Sequence, residues 1–518
     1  MVNWYAGWKP GVGPVMKIMK FDGDDPLGVA NSAFSRFYFN SEASNLSYVF
    51  GHFQLPQTLN KSNYPGSYDP GSFYGLQTGA MTDQWVMKSS YTTAGANTAR
   101  YDIYGLIGRM PDIQSTIPFA EMKFISGDGT ARILYNFKPS TSSAYYFSVT
   151  NYGVTCYSYE TQPTGLGYRR IPSQFGYQGW CIRPSNQSAG FEAYLSGDWD
   201  FVTTMIWDLP CNNVAIPTPN GTPISGQLAF ALEPTRAKMA RPGFSVDTAT
   251  GRQLIMDSNR TPVKCVMMGE TPAIQPGGSY FVAKPASIDF DLSPSMVCDT
   301  ICSLNGWGFV IPPVNLNTGF TEERTDAFYK VEPGGIRFSV TGTHSVAIRF
   351  MLYATGLQGY TSGGNQVVRK LGNEHFQIKR PGSSDTVPGY NDILIDTRFS
   401  AVTVLAEGYI PAANFSSANQ VNWRYGNIGA RINFDSQGMF VFPKVIVEFG
   451  DMFRQGNHAM YVSPGSGTVE VLRQSMATVV NSDHCVVHIS PGNSAGPGVT
   501  GFPDPVGVRY YILGAATL

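Results

Sequence analysis

Charge is what this sequence has least of. Asp, Glu, Lys and Arg make up 14% of its 518 residues, against about 25% in ordinary soluble domains, and 36 basic residues nearly cancel 37 acidic ones. A surface so neutral lacks the clustered Lys and Arg that grip phosphate backbones or anionic lipid, so nucleic acid is excluded as an expected partner. Cysteine is scarce too. The residues at 156, 181, 211, 265, 298, 302 and 485 are odd in number and widely spaced, which argues against a disulfide-stapled scaffold and reads as small buried hydrophobes. No apolar run approaches the ~18 residues of a membrane span, and the opening MVNWYAGWKPGVGP has neither the apolar core nor the cleavage pattern of a secretory signal. The expectation is a soluble chain made in the cytoplasm, with no membrane span. Helical periodicity is nearly missing, and only residues 321–331 have room for about two turns.

Aromatics and turn formers are abundant. With 28 Tyr, 32 Phe, 56 Gly and 35 Pro, the chain reads as aromatic strands punctuated by turns. Its length exceeds what one core serves and suggests roughly three to four units. The expected fold class is all-β, with multi-domain β-sandwich or barrel-like modules, long loops and almost no helix. Strand signals follow one another at 84–88, 100–107, 120–126, 132–137 and 145–159, and Gly127-Asp128-Gly129 is a hairpin signal between two of them. Pro/Gly-rich stretches at 216–226 and 356–365 divide the chain into an N-terminal β domain with a docking arm (1–225), a middle β module (226–360) and C-terminal β modules (361–518). The Gly/Pro-rich residues 1–21 read as that arm.

Residues 243–270 form one complete β module in miniature. Phe244 and Val246 alternate with polar residues, a turn covers 247–251, Leu254-Ile255-Met256 makes a second strand, and Asp257-Ser258-Asn259-Arg260 breaks it, because Asp, Ser and Asn side chains hydrogen-bond their own backbone. Val263 to Met268 then reads as a third strand, entered through Pro262. The order recurs over 375–410, with Phe376 and Ile378, a loop, Ile393-Leu394-Ile395, Asp396-Thr397-Arg398, and Val402 to Leu405; a looser copy begins at Ile432 and Phe434 and runs to Phe449. Val508 to Leu513 reads as the counterpart of Val346 to Tyr353.

Constellations with chemical potential resolve mostly into plain structure. Gly492-Asn493-Ser494-Ala495-Gly496 fits a nucleophile elbow, but Pro497, Pro503 and Pro505 forbid the helix that must follow it. Asp198 and Asp200 lie two apart on a strand, on one face, with carboxyls roughly 6–7 Å apart. That separation would suit an inverting glycosidase, with Trp199 and Trp207 as sugar-stacking partners, yet charged pairs also protect edge strands. Asp289 and Asp291 carry the same ambiguity. Asp22, Asp24 and Asp25 resemble the start of a calcium loop but lack its later oxygen ligands and read as a turn. A strand would send His484 and His488 one way and Cys485 the other, and Cys298 with Cys302 lacks a second pair. No catalytic, cofactor-binding or metal residue is assigned, and no cofactor is expected. The Tyr/Asn/Ser-rich residues 55–79 and 162–170 are the places for glycan or protein contact, while Arg236, Lys238 and Arg241 form a local basic patch.

The phrase GFSVDTATGRQLIMDSNRTPVK, echoed by DILIDTRFSAVTVLAEG, resembles a hairpin module of tailed-bacteriophage tail-tip, tail-fibre and related small virion proteins. The resemblance covers about 30 residues per copy and implies a non-enzymatic structural subunit of the tail tip, baseplate, fibre or collar. It implies localisation in the virion, other tail proteins as partners, a symmetric homo-oligomer, and contact with a host receptor or surface glycan. The rival expectations are a tailspike-like glycan hydrolase using Asp198 and Asp200, and a carbohydrate-binding adhesin.

Overall fold

The computed structural model describes residues 3–42, 46–56, 71–78, 81–92, 100–109, 118–125, 129–132, 164–171, 179–185, 201–210, 213, 221–304, 315–317, 322–342, 345–354, 359–371, 375–416, 428–436, 438–449, 452–455, 461–462, 469–470, 475–490 and 506–516. The fold is all-β. Strands account for 54% and no helix reaches seven residues among the described residues. Every pairing recorded is antiparallel, in small sheets and two nine-stranded ones.

One plan is executed three times. Each repeat opens with a three-stranded head sheet: Trp4–Lys9, Gly13–Met19 and Phe37–Asn40; then Phe230–Glu233, Arg236–Ala240 and Leu254–Asp257; then Val368–Leu371, His375–Lys379 and Ile393–Asp396. A single 3-10 turn precedes the last strand each time, at Phe34–Arg36, Gly251–Gln253 and Tyr390–Asp392. Registers coincide residue by residue. Lys17, Lys238 and Gln377 sit opposite Asn40, Asp257 and Asp396, and a bulge follows at Tyr38, Ile255 and Leu394.

The strand break expected from Asp-Ser-x-Arg is therefore a fixed device. The side-chain oxygens of Asn40, Asp257 and Asp396 accept the backbone N–H two residues on, at 3.1, 3.0 and 2.8 Å. The hydroxyls of Ser41, Ser258 and Thr397 accept from the N–H of Met16, Ala237 and Phe376 at 2.8, 3.1 and 3.1 Å, and the backbone N–H of each returns a bond to the carbonyl of the same partner. Each head strand thus ends in a turn whose donors are satisfied internally.

A body sheet follows each head. Its first strand (Tyr48–Pro56, Lys264–Glu270, Thr403–Pro411) pairs with the last strand of the repeat (Phe201–Pro210, Val346–Tyr353, Gly507–Ala515), which pairs in turn with Pro118–Ile125, Cys298–Leu304 or Phe440–Phe449. Again the bulge recurs, skipping Phe50, Val266 and Leu405, so that Trp207, Tyr353 and Leu513 are equivalent. The strand at 346–353 buries Val346, Ile348, Phe350 and Leu352 because a strand sends alternate side chains to one face. They join Phe338, Tyr329 and Val331 in the core of the second body, with Phe338 and Phe350 ring centroids 4.8 Å apart. The third body has its own core around Val441, Val487 and Ile512.

Several expectations change. Residues 3–21 are a packed element of the first head rather than a docking arm, since Gly13–Met19 is buried along its whole length as the central strand of that sheet. Phe244 and Val246 form no strand: Gly243, at φ +87°, turns the chain back against Gly221, and Arg236–Ala240 pairs with Leu254–Asp257 instead. The looser copy at 432–449 is body, with Ile428–Asn433 pairing His484–Ser490 and Phe440–Phe449 in the third body sheet. Residues 321–331 are no helix but the strand Glu322–Glu332, where Ala327, Tyr329 and Val331 are buried with a period of two. Within 55–79 lies the strand Gly71–Thr78, and within 162–170 lies most of Thr164–Ile171. Among the described residues no helix is long and apolar enough to cross a membrane.

Candidate functional site

The three repeats close on one another in a ring. The residue entering each body strand, Ser47, Val263 or Val402, donates its N–H to the carbonyl of the preceding repeat's equivalent: Val263 to Ser47 at 2.7 Å, Val402 to Val263 at 3.3 Å, and Ser47 to Val402 at 2.9 Å. Flanking residues follow the same cycle. Pro262 lies opposite Tyr48, Ala401 opposite Lys264, and Leu46 opposite Thr403. Three short strands meeting edge to edge leave no free edge between them, so the junction is a pseudo-threefold axis made by one chain.

Above this ring the heads share a core. Met16, Ile18 and Phe39 of the first repeat, Met239, Ile255 and Met256 of the second, and Phe376, Ile378, Leu394 and Ile395 of the third are buried together. Trp4 lies 5.4 Å from Phe376, which links the first repeat to the third. Side chains one residue past the ring reach into the next head. The Tyr48 hydroxyl donates to the Ile255 carbonyl at 3.2 Å and accepts from the Asp257 N–H at 3.1 Å. Lys264 Nζ donates to the carbonyls of Pro262 and Ile393 at 2.9 and 3.1 Å; burial pulls its ammonium down to about 7, against the opposing pull of Asp396 and Asp392.

Below the ring lies a buried charge network drawn from all three repeats. Lys444 pairs with Asp299, both nearly inaccessible. The Tyr353 hydroxyl donates to Asp299 Oδ2 at 3.2 Å, and the Lys444 ammonium stands 4.8 Å over the Trp207 ring, itself edge-on to Tyr353 at 5.2 Å. To one side Arg260 stacks 3.8 Å over Tyr48 and pairs with Asp208, while Arg252 pairs with Glu407. Arg241 is buried beside them, its Nε donating to the Arg252 carbonyl at 2.8 Å; burial and then the Arg252 charge bring its guanidinium down to about 10.

A second buried carboxylate lies in the third head. Asp396 has Arg398 Nη2 at 2.9 Å and His375 Nε2 at 3.0 Å. Burial alone would raise it, but His375 and Arg398 prevail and hold it at about 2. Arg398 also reaches Asp289 at 2.6 Å.

The sequence-level candidates scatter. Asp289 serves Arg398, whereas Asp291 stands 3.8 Å from Lys284. Trp207 is fully buried between Tyr353 and Lys444, so its ring is closed to a sugar. Asp198, Trp199, Asp200 and the 492–496 segment lie outside the described residues. Asp24 pairs with Arg36 and Asp25 accepts the Leu27 N–H at 2.9 Å, as in a turn. His484 sits between Asp483 at 2.7 Å and Asn481 at 3.0 Å, while Cys485 points the other way into the third core. Cys298 and Cys302 belong to the second core. The basic patch disperses: Arg236 pairs with Glu233 and Asp247, Lys238 with Asp257 at 3.8 Å, and Arg241 turns inward. Missed from sequence were the ring residues, the Asp299–Lys444 pair and the convergence of Arg241, Arg252 and Arg260. The triple phrase FYFNSE, LIMDSN and ILIDTR was the signal that could have revealed the ring. Comparison with protein-family models, curated proteins and solved structures returns no match.

Proposed function

We propose that this chain is a non-enzymatic structural component of a tailed-phage virion, acting by assembly at the tail tip or a neighbouring threefold position, one copy per site. The observation that carries the reading is the cyclic closure of Ser47, Val263 and Val402. A symmetric oligomer normally forms such a junction from separate copies; here three unequal repeats form it in one chain. Each repeat then presents a different outer surface around one axis. That arrangement suits a part which must seat on symmetric neighbours while offering non-equivalent faces. The hairpin resemblance and the low surface charge support the virion setting, and the ring favours a monomer over the expected homo-oligomer.

Light scattering of the purified chain and quantitative mass spectrometry of purified particles test this. The expected outcome is a species of 56.5 kDa in solution and a fixed, single-copy signal per tail in the particle. Absence from particles would overturn the reading. Release of reducing ends from host polysaccharide that disappears in Asp198→Asn would replace it with the hydrolase.

A further inference from the structure

One cluster in the first head is arranged for a reaction as well as for pairing. Lys17 lies on the central strand Gly13–Met19 with its side chain fully buried. Its Nζ stands 2.6 Å from Glu42 Oε2 and donates to Asn31 Oδ1 at 2.8 Å. Because a C=O bond spans about 1.2 Å, the Asn31 carboxamide carbon is roughly 3–4 Å from that nitrogen, close to a near-attack separation. The same Oδ1 accepts from the buried Asn40 Nδ2 at 3.0 Å. Glu42 touches both partners. Burial pushes its carboxyl up, but hydrogen bonds from Lys17, Lys9 and Asn31 prevail and hold it below its ordinary value, so that it stands as a base. The head fold does not require this set. The equivalents of Lys17 are Lys238 and Gln377, and those of Glu42 are Asn259 and Arg398. Asn31 sits in the connection at 20–33, whose shorter counterparts at 241–250 and 380–389 contain no asparagine.

We propose that Lys17 and Asn31 join in an autocatalytic isopeptide bond, with Glu42 as the acid-base catalyst. Glu42 takes a proton from the Lys17 ammonium, and the amine lone pair forms a bond to Asn31 Cγ while the carbonyl π pair moves onto Oδ1. The Asn40 amide donates to that developing oxyanion. Glu42 passes its proton to Asn31 Nδ2 and takes the surplus proton from Nζ, and the Cγ–Nδ2 bond breaks as the carbonyl reforms. Ammonia departs and carries the remaining proton from Glu42 away as ammonium, which restores the carboxylate. One amide replaces another, so neither oxidant nor cofactor enters. The burial of Lys17, with the Phe37 ring 5.4 Å from its Nζ, keeps water from competing for the carbon. The bond closes residues 17–31 into a covalent loop on the first head.

The test is the intact mass of the full purified chain, followed by tryptic peptide mapping. The expected result is a mass below that of the sequence by one ammonia, and a branched peptide that joins Lys17 to Asn31 and resists trypsin at Lys17. Glu42→Gln removes the base and should restore the full mass of its own sequence. Asn31→Ala, at a half-buried position, should do the same, and it decides the matter if Glu42→Gln fails to fold. A wild-type chain at full sequence mass, loss of ammonia without a Lys17–Asn31 peptide, or a bond that forms undiminished in Glu42→Gln overturns the proposal.

Discussion

Removing one member of the Asp299–Lys444 pair should do far more damage than removing both. Asp299 is 4% and Lys444 2% exposed, so neither charge regains water when its partner goes. Lys444→Met leaves the carboxylate buried beside the Tyr353 hydroxyl, 3.2 Å away, and an uncompensated buried charge of this kind costs about 3–5 kcal/mol. Loss of the cation over Trp207, at 4.8 Å, adds roughly 0.5–2 kcal/mol. Asp299→Leu strands the ammonium and should cost a similar about 3–5 kcal/mol. The double variant removes both desolvation penalties, and buried pairs replaced by apolar groups of similar volume come out near neutral, so about 0–2 kcal/mol is expected. The assay is urea denaturation of wild type, both single variants and the double, read by tryptophan fluorescence and closed as a double-mutant cycle. A Lys444→Met cost below about 1 kcal/mol, the range of exposed pairs, or single costs that simply add, would refute the reasoning.

Other perturbations test the heads and the ring. Ile378→Ala, at a fully buried site in the core shared by three heads, should cost about 2–5 kcal/mol, and hydrogen exchange should rise in all three head sheets; a rise confined to residues 375–396 would deny the shared core. Tyr48→Phe removes the acceptor of the Asp257 N–H and should cost about 1–3 kcal/mol in the same denaturation assay. Asp396 is held at about 2, below its ordinary 3.8, so its contribution is fully present above about pH 4 and disappears as pH falls through about 2. Asp396→Asn should flatten the melting-temperature profile between those values, and parallel profiles for the two proteins would count against the assignment. A cleavage site inserted after the exposed Gly226 should give a nicked chain that still elutes as one particle, since strand Thr130–Arg132 of the first repeat pairs with Glu322–Glu332 of the second; separation of the two pieces would show the ring to be weak.

The sequence made the strands legible and the ring illegible. Leu254-Ile255-Met256-Asp257 and Ile393-Leu394-Ile395-Asp396 announce themselves because three apolar residues and an Asx turn repeat with one spacing. Phe37-Tyr38-Phe39-Asn40 does the same work with Asn in place of Asp, and 14 residues at 20–33 separate its strand from the 3-10 turn, so the copy is hidden by an insertion. Alternation misled at Phe244 and Val246, which pack against Ala240 and Leu254 without any ladder, and at Ile432 and Phe434, where body strands carry the same period as head strands. Contacts such as Ser47 with Val402 or Asp299 with Lys444 depend on segments far apart in the chain; the triple phrase points to three equivalent units, but local pattern does not say which residues close them. The Arg cluster was half visible as a basic patch, but which of its residues turns inward is set by tertiary packing, with Arg241 buried and Arg236 paired at the surface, rather than by composition.

The closure of Leu46 on Thr403 sets a timetable for biosynthesis. At ~5–20 residues per second the ribosome needs roughly 15–60 s to supply the second and third repeats after the first has emerged, and through that interval the first head's apolar face and the edge at Ser47 lack their partners from the later repeats. The leading repeat lacks these partners while synthesis is under way, which makes the nascent chain a client for chaperones until the strand Gly507–Ala515 is released. In exchange, three repeats held on one tether meet at a stoichiometry that no dilution can disturb.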